Sequence, residues 1–118
     1  MTAIGGEESP IYLRLRNKLS ALILDGEYGE GDQLPSVRAF AGEHGANPLT
    51  VAKAYQSLQE NGYVTVRRGV GMFVAAGAVE RLRIDARAQF LNDHWPQIRR
   101  HIERLGIAPA ELFETETA

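Results

Sequence analysis

Two adjacent arginines followed by glycine form the segment of this sequence whose chemistry is easiest to name. Arg67, Arg68 and Gly69 open the run Arg-Arg-Gly-Val-Gly at positions 67–71. Guanidinium groups bind phosphate oxygens, and a neighbouring glycine lets the main chain approach a bulky anion closely. The run therefore suits contact with a polyanion, although a solvated hairpin turn that merely needs glycine would have the same composition.

A second set of polar residues lies upstream, around a predicted helix that begins near residue 48. Thr50 and Lys53 fall off the apolar stripe of that helix, and Asn47 immediately precedes it. Asn47 is first of all a helix cap. Thr50 and Lys53 are either solvated helix residues or contacts to a ligand that lies against the helix. Leu49 has no polar group and can supply only apolar contact.

Arg38 has two interpretations. It stands in the first turn of the preceding predicted helix, where it either contacts the same ligand or forms a surface ion pair with Glu43 or Asp32. The other polar residues around it favour the ligand contact.

Other kinds of site are excluded or disfavoured by composition. The sequence has no cysteine, which excludes disulfides, thiolate nucleophiles and cysteine-based zinc or iron–sulfur sites. Of the three histidines, His44, His94 and His101, the last two are seven residues apart with no third ligand between them, which disfavours a metal site. No carboxylate pair, Ser/His/Asp set or glycine-rich phosphate loop is recognisable. We therefore expect no enzyme activity, no metal and no cofactor.

Size and charge set the scale of the molecule. A chain of 118 residues with 44% hydrophobic and 24% charged residues can bury one core and carry a short appended element. The net charge is −2, yet positions 33–75 hold four basic residues against two acidic ones. No apolar run approaches the roughly 20 residues of a membrane span, and residues 1–9 lack the pattern of a signal peptide. We expect a cytoplasmic protein without a membrane partner.

The spacing of apolar residues predicts three helices and a hairpin within residues 10–75. After a disordered lead-in at 1–9, an apolar stripe from Ile11 predicts a helix with Ser9 as its cap and Pro10 at its first position, and Gly26 ends it. The later elements are a short extended segment at 33–34, a helix at 35–44 stopped by Gly45, a helix from about 48 with the buried stripe Val51, Ala54, Tyr55 and Leu58, and two strands at 63–67 and 72–74 joined by a turn. This order is that of a winged helix-turn-helix, whose second helix, here the reading helix, enters a DNA major groove.

A helical tail is predicted at 76–118, after a break of small residues. Apolar residues recur at helical spacing from Val79 to Leu105, over about seven turns. Pro96 should kink or split this helix, with Asp93 a candidate cap for a restarted segment, and a last short helix is expected at 109–113. The stripe is too apolar to stay exposed, so it either folds back onto the winged helix or forms a two-fold dimer interface. That interface would comprise Leu82, Phe90, Leu91, Trp95, Ile98, Ile102 and Leu105.

The sequence resembles the DNA-binding domain of the GntR family of bacterial regulators, over residues 10–75. The short tail resembles that of the YtrA subfamily, in which two helices serve mainly to dimerise. The residues that carry the resemblance are Pro10-Ile11-Tyr12, the run Gly31-Asp32-Gln33-Leu34-Pro35-Ser36-Val37-Arg38, Asn47-Pro48 with Thr50-Val51, Ala54-Tyr55, Leu58, Gly62, and the run Gly69-Val70-Gly71-Met72-Phe73-Val74. The resemblance implies that Arg38, Asn47, Thr50, Lys53, Arg68 and Gly69 lie at positions that contact DNA.

We therefore expect a homodimeric transcriptional regulator, a repressor, that binds a pseudo-palindromic operator in double-stranded DNA. In this interpretation the reading helix contacts the major groove, and the wing tip at 67–71, including Arg67, contacts the minor groove or phosphates. The alternative is a winged-helix module that binds a partner protein and no DNA. The basic wing tip argues against the alternative, because a protein-binding module does not need it. No residue pattern identifies a small-molecule effector.

Overall fold

A computed structural model describes residues 10–114. In chain order the elements are α1 (Ile11–Leu24), α2 (Val37–His44), α3 (Pro48–Glu60), β1 (Val64–Arg67), β2 (Gly71–Val74), α4 (Ala78–Gln89), a π-helical turn (Phe90–His94), α5 (Trp95–Leu105) and α6 (Pro109–Glu114). The predicted fold class, mainly helical with one small hairpin in a winged helix-turn-helix arrangement, is confirmed.

The reading helix α3 begins and ends where the local sequence dictates. The Asn47 side chain accepts a hydrogen bond from the Leu49 amide at 2.8 Å, and Pro48 occupies the first helical position, where no N–H is needed. Beyond its end, Gly62 takes a positive φ of 79° that turns the chain towards β1. The predicted stripe Val51, Ala54, Tyr55 and Leu58 is buried, which leaves the opposite side of the helix to solvent.

Helix α2 is fixed in front of α3 by its own caps and by one long-range hydrogen bond. The Ser36 hydroxyl accepts from the Ala39 amide at 3.0 Å, and Gly45 ends the helix in the left-handed region. The Tyr55 hydroxyl, on α3, donates to the Pro35 carbonyl at 2.7 Å. Burial raises the pKa of Tyr55 above its ordinary value, so the phenol remains a donor. The two helices of the motif are thereby linked at the start of α2.

Removing the Tyr55 hydroxyl tests that link. Tyr55→Phe leaves the Pro35 carbonyl without its partner, and we expect the free energy of unfolding to fall by about 1–2 kcal/mol. Urea denaturation followed by circular dichroism measures the change. Tyr12→Phe is the matched control and should change stability little, because no hydrogen bond of the Tyr12 hydroxyl is seen within residues 10–114. Equal stability of the two variants would contradict the proposed role of the bond.

The hairpin is extended by a third segment of chain. Strands β1 and β2 pair antiparallel, with Val64 opposite Val74 and Arg67 opposite Gly71. On the other edge of β2, the Leu34 amide donates to the Met72 carbonyl at 2.8 Å. The extended segment predicted at 33–34 therefore supports the wing from its outer edge.

The tail leaves the winged helix and projects from it. Ala78 and Leu82, in the first turns of α4, are buried in the same core as α1 and α3. The structure measures 55 × 29 × 28 Å, with a radius of gyration of 16.7 Å, against about 13–14 Å for a compact chain of this length. Within residues 10–114 no helix is both long and apolar enough to span a bilayer.

Two details of the helix ends differ from expectation. Pro10 lies one position before α1, with an extended ψ of 149°, so its placement at the first helical position is wrong; proline fixes φ but not ψ. Ser9, its predicted cap, lies outside the described residues. Pro96 lies in the first turn of α5, which the π-helical turn separates from α4, so the predicted split of the tail helix is present, whereas Asp93 makes no capping bond to α5.

Candidate nucleic-acid interface

The first turn of α3 presents a polar and an apolar side chain to solvent. Thr50 is half-buried, Lys53 is exposed one turn further on, and Leu49 is 81% exposed. Together with Ile11 and Tyr12 of α1 these three residues line an open groove at the start of the reading helix. Asn47 is committed to its cap, so any contact it makes with a ligand comes in addition to that bond.

Lys53 is held in place by an aromatic ring. Its ammonium nitrogen lies 4.4 Å from the centre of the Tyr12 ring. A cation above an aromatic face is attracted to it by about 0.5–1 kcal/mol at an exposed site. This contact restricts the flexible lysine side chain without neutralising its charge. Tyr12 belongs to the sequence pattern already described, but its role in positioning Lys53 could not be predicted, because the contact joins α1 to α3.

Arg38 is exposed on the first turn of α2. Within the described residues it forms no ion pair with Glu43 or Asp32, the two partners considered from the sequence. Asp32 instead accepts a hydrogen bond from the Gly29 amide at 2.8 Å. The guanidinium of Arg38 is therefore available for an external anion.

The two arginines of the wing tip lie in different surroundings. Arg68 and Gly69 form the exposed turn, in which Gly69 has a positive φ of 79°. Arg67 lies at the end of β1, and its guanidinium carbon is 4.2 Å from the centre of the Phe73 ring. Arg68 thus projects from the tip, whereas Arg67 lies along one face of the hairpin.

Gln33 supports the wing tip and was not singled out from the sequence. Its side-chain amide donates to the Val70 carbonyl at 2.9 Å. A Cβ at Gly71 would overlap that amide nitrogen, and Gly71 also has a positive φ of 147°. Glycine is therefore required at this position both by its backbone conformation and by the close approach of Gln33.

Comparison with protein families identifies the group to which this arrangement belongs. The family described as bacterial regulatory proteins, gntR family, matches residues 11–74, which is more than half of the chain. The chain belongs to the GntR family. It is accordingly a DNA-binding transcriptional regulator of the helix-turn-helix type.

The similarity to other GntR regulators extends into the tail. The HTH-type transcriptional repressor YtrA of Bacillus subtilis is 31% identical over 106 residues, which cover 90% of this chain and 81% of YtrA. A GntR family transcriptional regulator from Listeria monocytogenes superposes with a TM-score of 0.72 at 26% identity, over 94% of this chain and 96% of that one. The DNA-binding domain of AraR in complex with operator ORE1 superposes with a TM-score of 0.55 at 25% sequence identity, over 64% of this chain and 94% of that one.

The tail of this GntR chain carries a continuous apolar face. Phe90, Leu91, Trp95 and Leu105 are each 38–58% exposed, and Ile98 and Ile102 are half-buried. From residue 91 the spacing alternates between four and three, which is the heptad spacing of a coiled-coil seam. We call Leu91, Trp95, Ile98, Ile102 and Leu105 the tail seam.

Leu82 does not share the environment of the tail seam. It is buried against the core of the winged helix, and little of its side chain remains for a partner. Two alternatives were open for the stripe, folding back onto the winged helix or pairing with a second copy. The stripe folds back as far as Leu82, and beyond it Phe90, Leu91, Trp95 and Leu105 remain at least 38% exposed.

Two of the three histidines take part in aromatic packing. His44 lies 4.0 Å from the Phe40 ring centre, and His94 lies 6.3 Å from that of Phe90 in an edge-on arrangement. Between residues 10 and 114 no group of three metal-ligating side chains comes together.

Proposed function

We propose that this chain is a homodimeric repressor that binds a pseudo-palindromic operator, with one winged helix on each half-site. The observation that carries the proposal is that Lys53 of α3, Arg38 of α2 and Arg68 at the wing tip are exposed cations, on a fold that a structural neighbour, the DNA-binding domain of AraR, shows in complex with an operator. The repressor assignment rests on the similarity to YtrA.

The residues divide into two kinds of contact. Thr50 and Lys53 stand on the first turns of the reading helix and contact base edges in the major groove. Arg38, Arg68 and the Gly69 backbone contact phosphates or the minor groove, which positions the protein on the duplex. Asn47 fixes the start of the reading helix, and Arg67 adds positive charge to the side of the wing.

Leu49 contributes an apolar contact of its own. Leu49, on the first turn of the reading helix, is 81% exposed, so most of its apolar surface is left in contact with water. In the major groove the matching apolar group is the C5-methyl of thymine. A thymine in the half-site beside the base read by Lys53 would cover this side chain.

The tail seam joins two copies of the chain. Its residues are apolar, repeat at heptad spacing and lie beyond the part of α4 that is buried in the chain's own core. A two-fold axis would pair the same residues from each protomer and place two reading helices on one face of the duplex. This arrangement requires no enzymatic activity and no cofactor, and we place the protein in the cytoplasm with the chromosomal DNA it binds.

Alanine substitutions separate base contacts from phosphate contacts. Lys53→Ala and Thr50→Ala should each cost about 1–3 kcal/mol of operator binding and relax the preference at particular base positions. Arg68→Ala should weaken binding to all sequences by a similar factor. Selection of duplexes from a random library, followed by affinity measurements on the enriched sequence and its variants, makes the comparison. Identical patterns for the three variants would show that the reading helix has been misassigned, and a wild-type chain that enriches no duplex would contradict DNA binding.

A further inference from the structure

Three side chains join the end of the reading helix to the first helix of the tail. The Tyr63 hydroxyl donates a hydrogen bond to the Asp85 carboxylate. The Arg81 guanidinium donates to the Gly62 carbonyl at 2.6 Å and lies 5.6 Å from the centre of the Tyr63 ring. We call Tyr63, Arg81 and Asp85 the Tyr63 clamp.

Tyr63 occupies the point at which the three parts of the molecule meet. Its amide donates to the Leu58 carbonyl at 3.0 Å, within the reading helix. Its carbonyl accepts from the Ala75 amide at 2.9 Å, where the chain leaves the wing for the tail. The residue is 8% exposed, so its backbone is fixed by the winged helix while its hydroxyl holds α4.

Without the clamp, the tail would stay attached to the winged helix, but its angle to the winged helix would be only weakly restrained. The link at 75–77 is short and ends in Gly77, which has a positive φ of 73°. Beyond it α4 is anchored by Ala78 and Leu82, which are one helical turn apart, with Val79 partly buried beside them. Apolar packing has no preferred direction, whereas a hydrogen bond weakens steeply when its angle changes. The polar contacts of the clamp therefore supply the angular restraint that the apolar anchor lacks.

We propose that the Tyr63 clamp fixes the angle between the winged helix and the tail, and thereby selects the spacing between half-sites that the dimer accepts. The inference rests on the proposed homodimer. Ile98, in the tail seam, lies about 20 Å along the helix from Asp85. A rotation of about 10° at the clamp would move Ile98 by about 3.5 Å, close to the rise of one base pair. Each protomer contributes such a displacement.

The clamp is chemically stable over the range in which the protein would act. Burial, followed by the hydrogen bond to the Asp85 carboxylate, raises the pKa of Tyr63 to about 12. The phenol is therefore protonated near neutral pH and continues to donate to Asp85. Tyr63, Arg81 and Asp85 are positioning residues in this scheme, because they act through the tail and contact no DNA.

The experiment compares half-site spacings. The probes are the duplex that the wild-type chain enriches from a random library, the same duplex with two base pairs inserted between half-sites, and a duplex with one half-site. Wild type should lose about 30-fold in affinity on insertion, because the second winged helix no longer reaches its site. Tyr63→Phe and Asp85→Ala should lose about threefold or less, since a tail without the Tyr63–Asp85 hydrogen bond can change its angle and accommodate both spacings. Both variants should bind the duplex with one half-site as tightly as wild type does, within about twofold.

Two control variants separate positioning from general stability. Asp85→Asn keeps an oxygen that accepts from Tyr63 and should retain the wild-type spacing preference. Tyr28→Phe removes a hydroxyl from a half-buried tyrosine elsewhere and should also retain it. A Tyr63→Phe variant that is as selective for spacing as wild type would overturn the inference. A wild-type chain that binds the single half-site as tightly as the whole duplex would instead overturn the homodimer, and the role of the clamp with it.

Discussion

Ile98→Asp is expected to convert the protein into a monomer and to lower its operator affinity by about 100-fold or more. Ile98 lies in the middle of the tail seam, between Trp95 and Ile102. In a two-fold interface the substitution would bury two carboxylates at once, each at a cost of several kcal/mol. Without the interface, the second winged helix no longer binds at the high effective concentration that the first provides.

Sedimentation at micromolar concentration measures the oligomeric state, and titration of the operator measures affinity. Arg100→Asp is the matched control, because it places the same carboxylate at an exposed position of the same helix. It should remain dimeric. The chain ending at Gln89, which keeps the core residues Ala78 and Leu82, should behave like Ile98→Asp and bind as a folded monomer. A full-length wild-type chain that sediments as a monomer would contradict the proposed interface.

Salt should weaken operator binding steeply. Arg38, Lys53 and Arg68 are exposed, and two protomers bring about six such cations against the duplex, where each offsets phosphate charge whether it contacts a base or the backbone, which predicts a slope of log K against log salt of roughly −5. Affinity should then fall about 1,000-fold between roughly 50 and 200 mM salt. The overall charge of −2 would predict no such attraction, so the effect depends on where the charges lie.

Single substitutions show how much each residue contributes to the slope of log K against log salt. Arg68→Ala removes one cation per protomer and should make the slope shallower by about 2. Arg87→Ala, on the exposed side of α4, removes the same charge away from the proposed interface and should leave the slope unchanged. An affinity that is flat over this salt range would exclude phosphate contacts as the main source of binding.

Features of this fold that depend on neighbouring residues were predictable from the sequence. The cap at Asn47, the stop at Gly45 and the buried stripe of α3 each follow from contacts within one or two helical turns. Binary patterning then distinguishes the three helices from the hairpin, because their apolar periods differ. These local signals sufficed for the order of elements, and hence for the winged helix-turn-helix.

Features that depend on contacts between distant parts of the chain were not predictable. The ring of Tyr12 is 41 positions from Lys53, and Gln33 is 37 positions from Val70, so no periodic pattern links either pair. The burial of Leu82 likewise depends on how α4 packs against α1, because its spacing alone matches the rest of the tail stripe. The DNA-binding positions and the dimer interface were proposed from type, spacing and resemblance, and both stay predictions that the experiments above test.

The π-helical turn at Phe90–His94 gives the tail a tolerance to changes in length. Such a turn accommodates about one more residue than an α-helical turn, so it absorbs a residue that would otherwise rotate everything after it by about 100°. The turn therefore preserves the angle about the helix axis between two faces of the tail. One is the face of α4 that carries Ala78 and Leu82, and the other is the face of α5 that carries Ile98. A homologue one residue shorter here, with a plain α-helix, would present the same two sides. Sequence alignments of such tails should therefore open a single-residue gap at this turn.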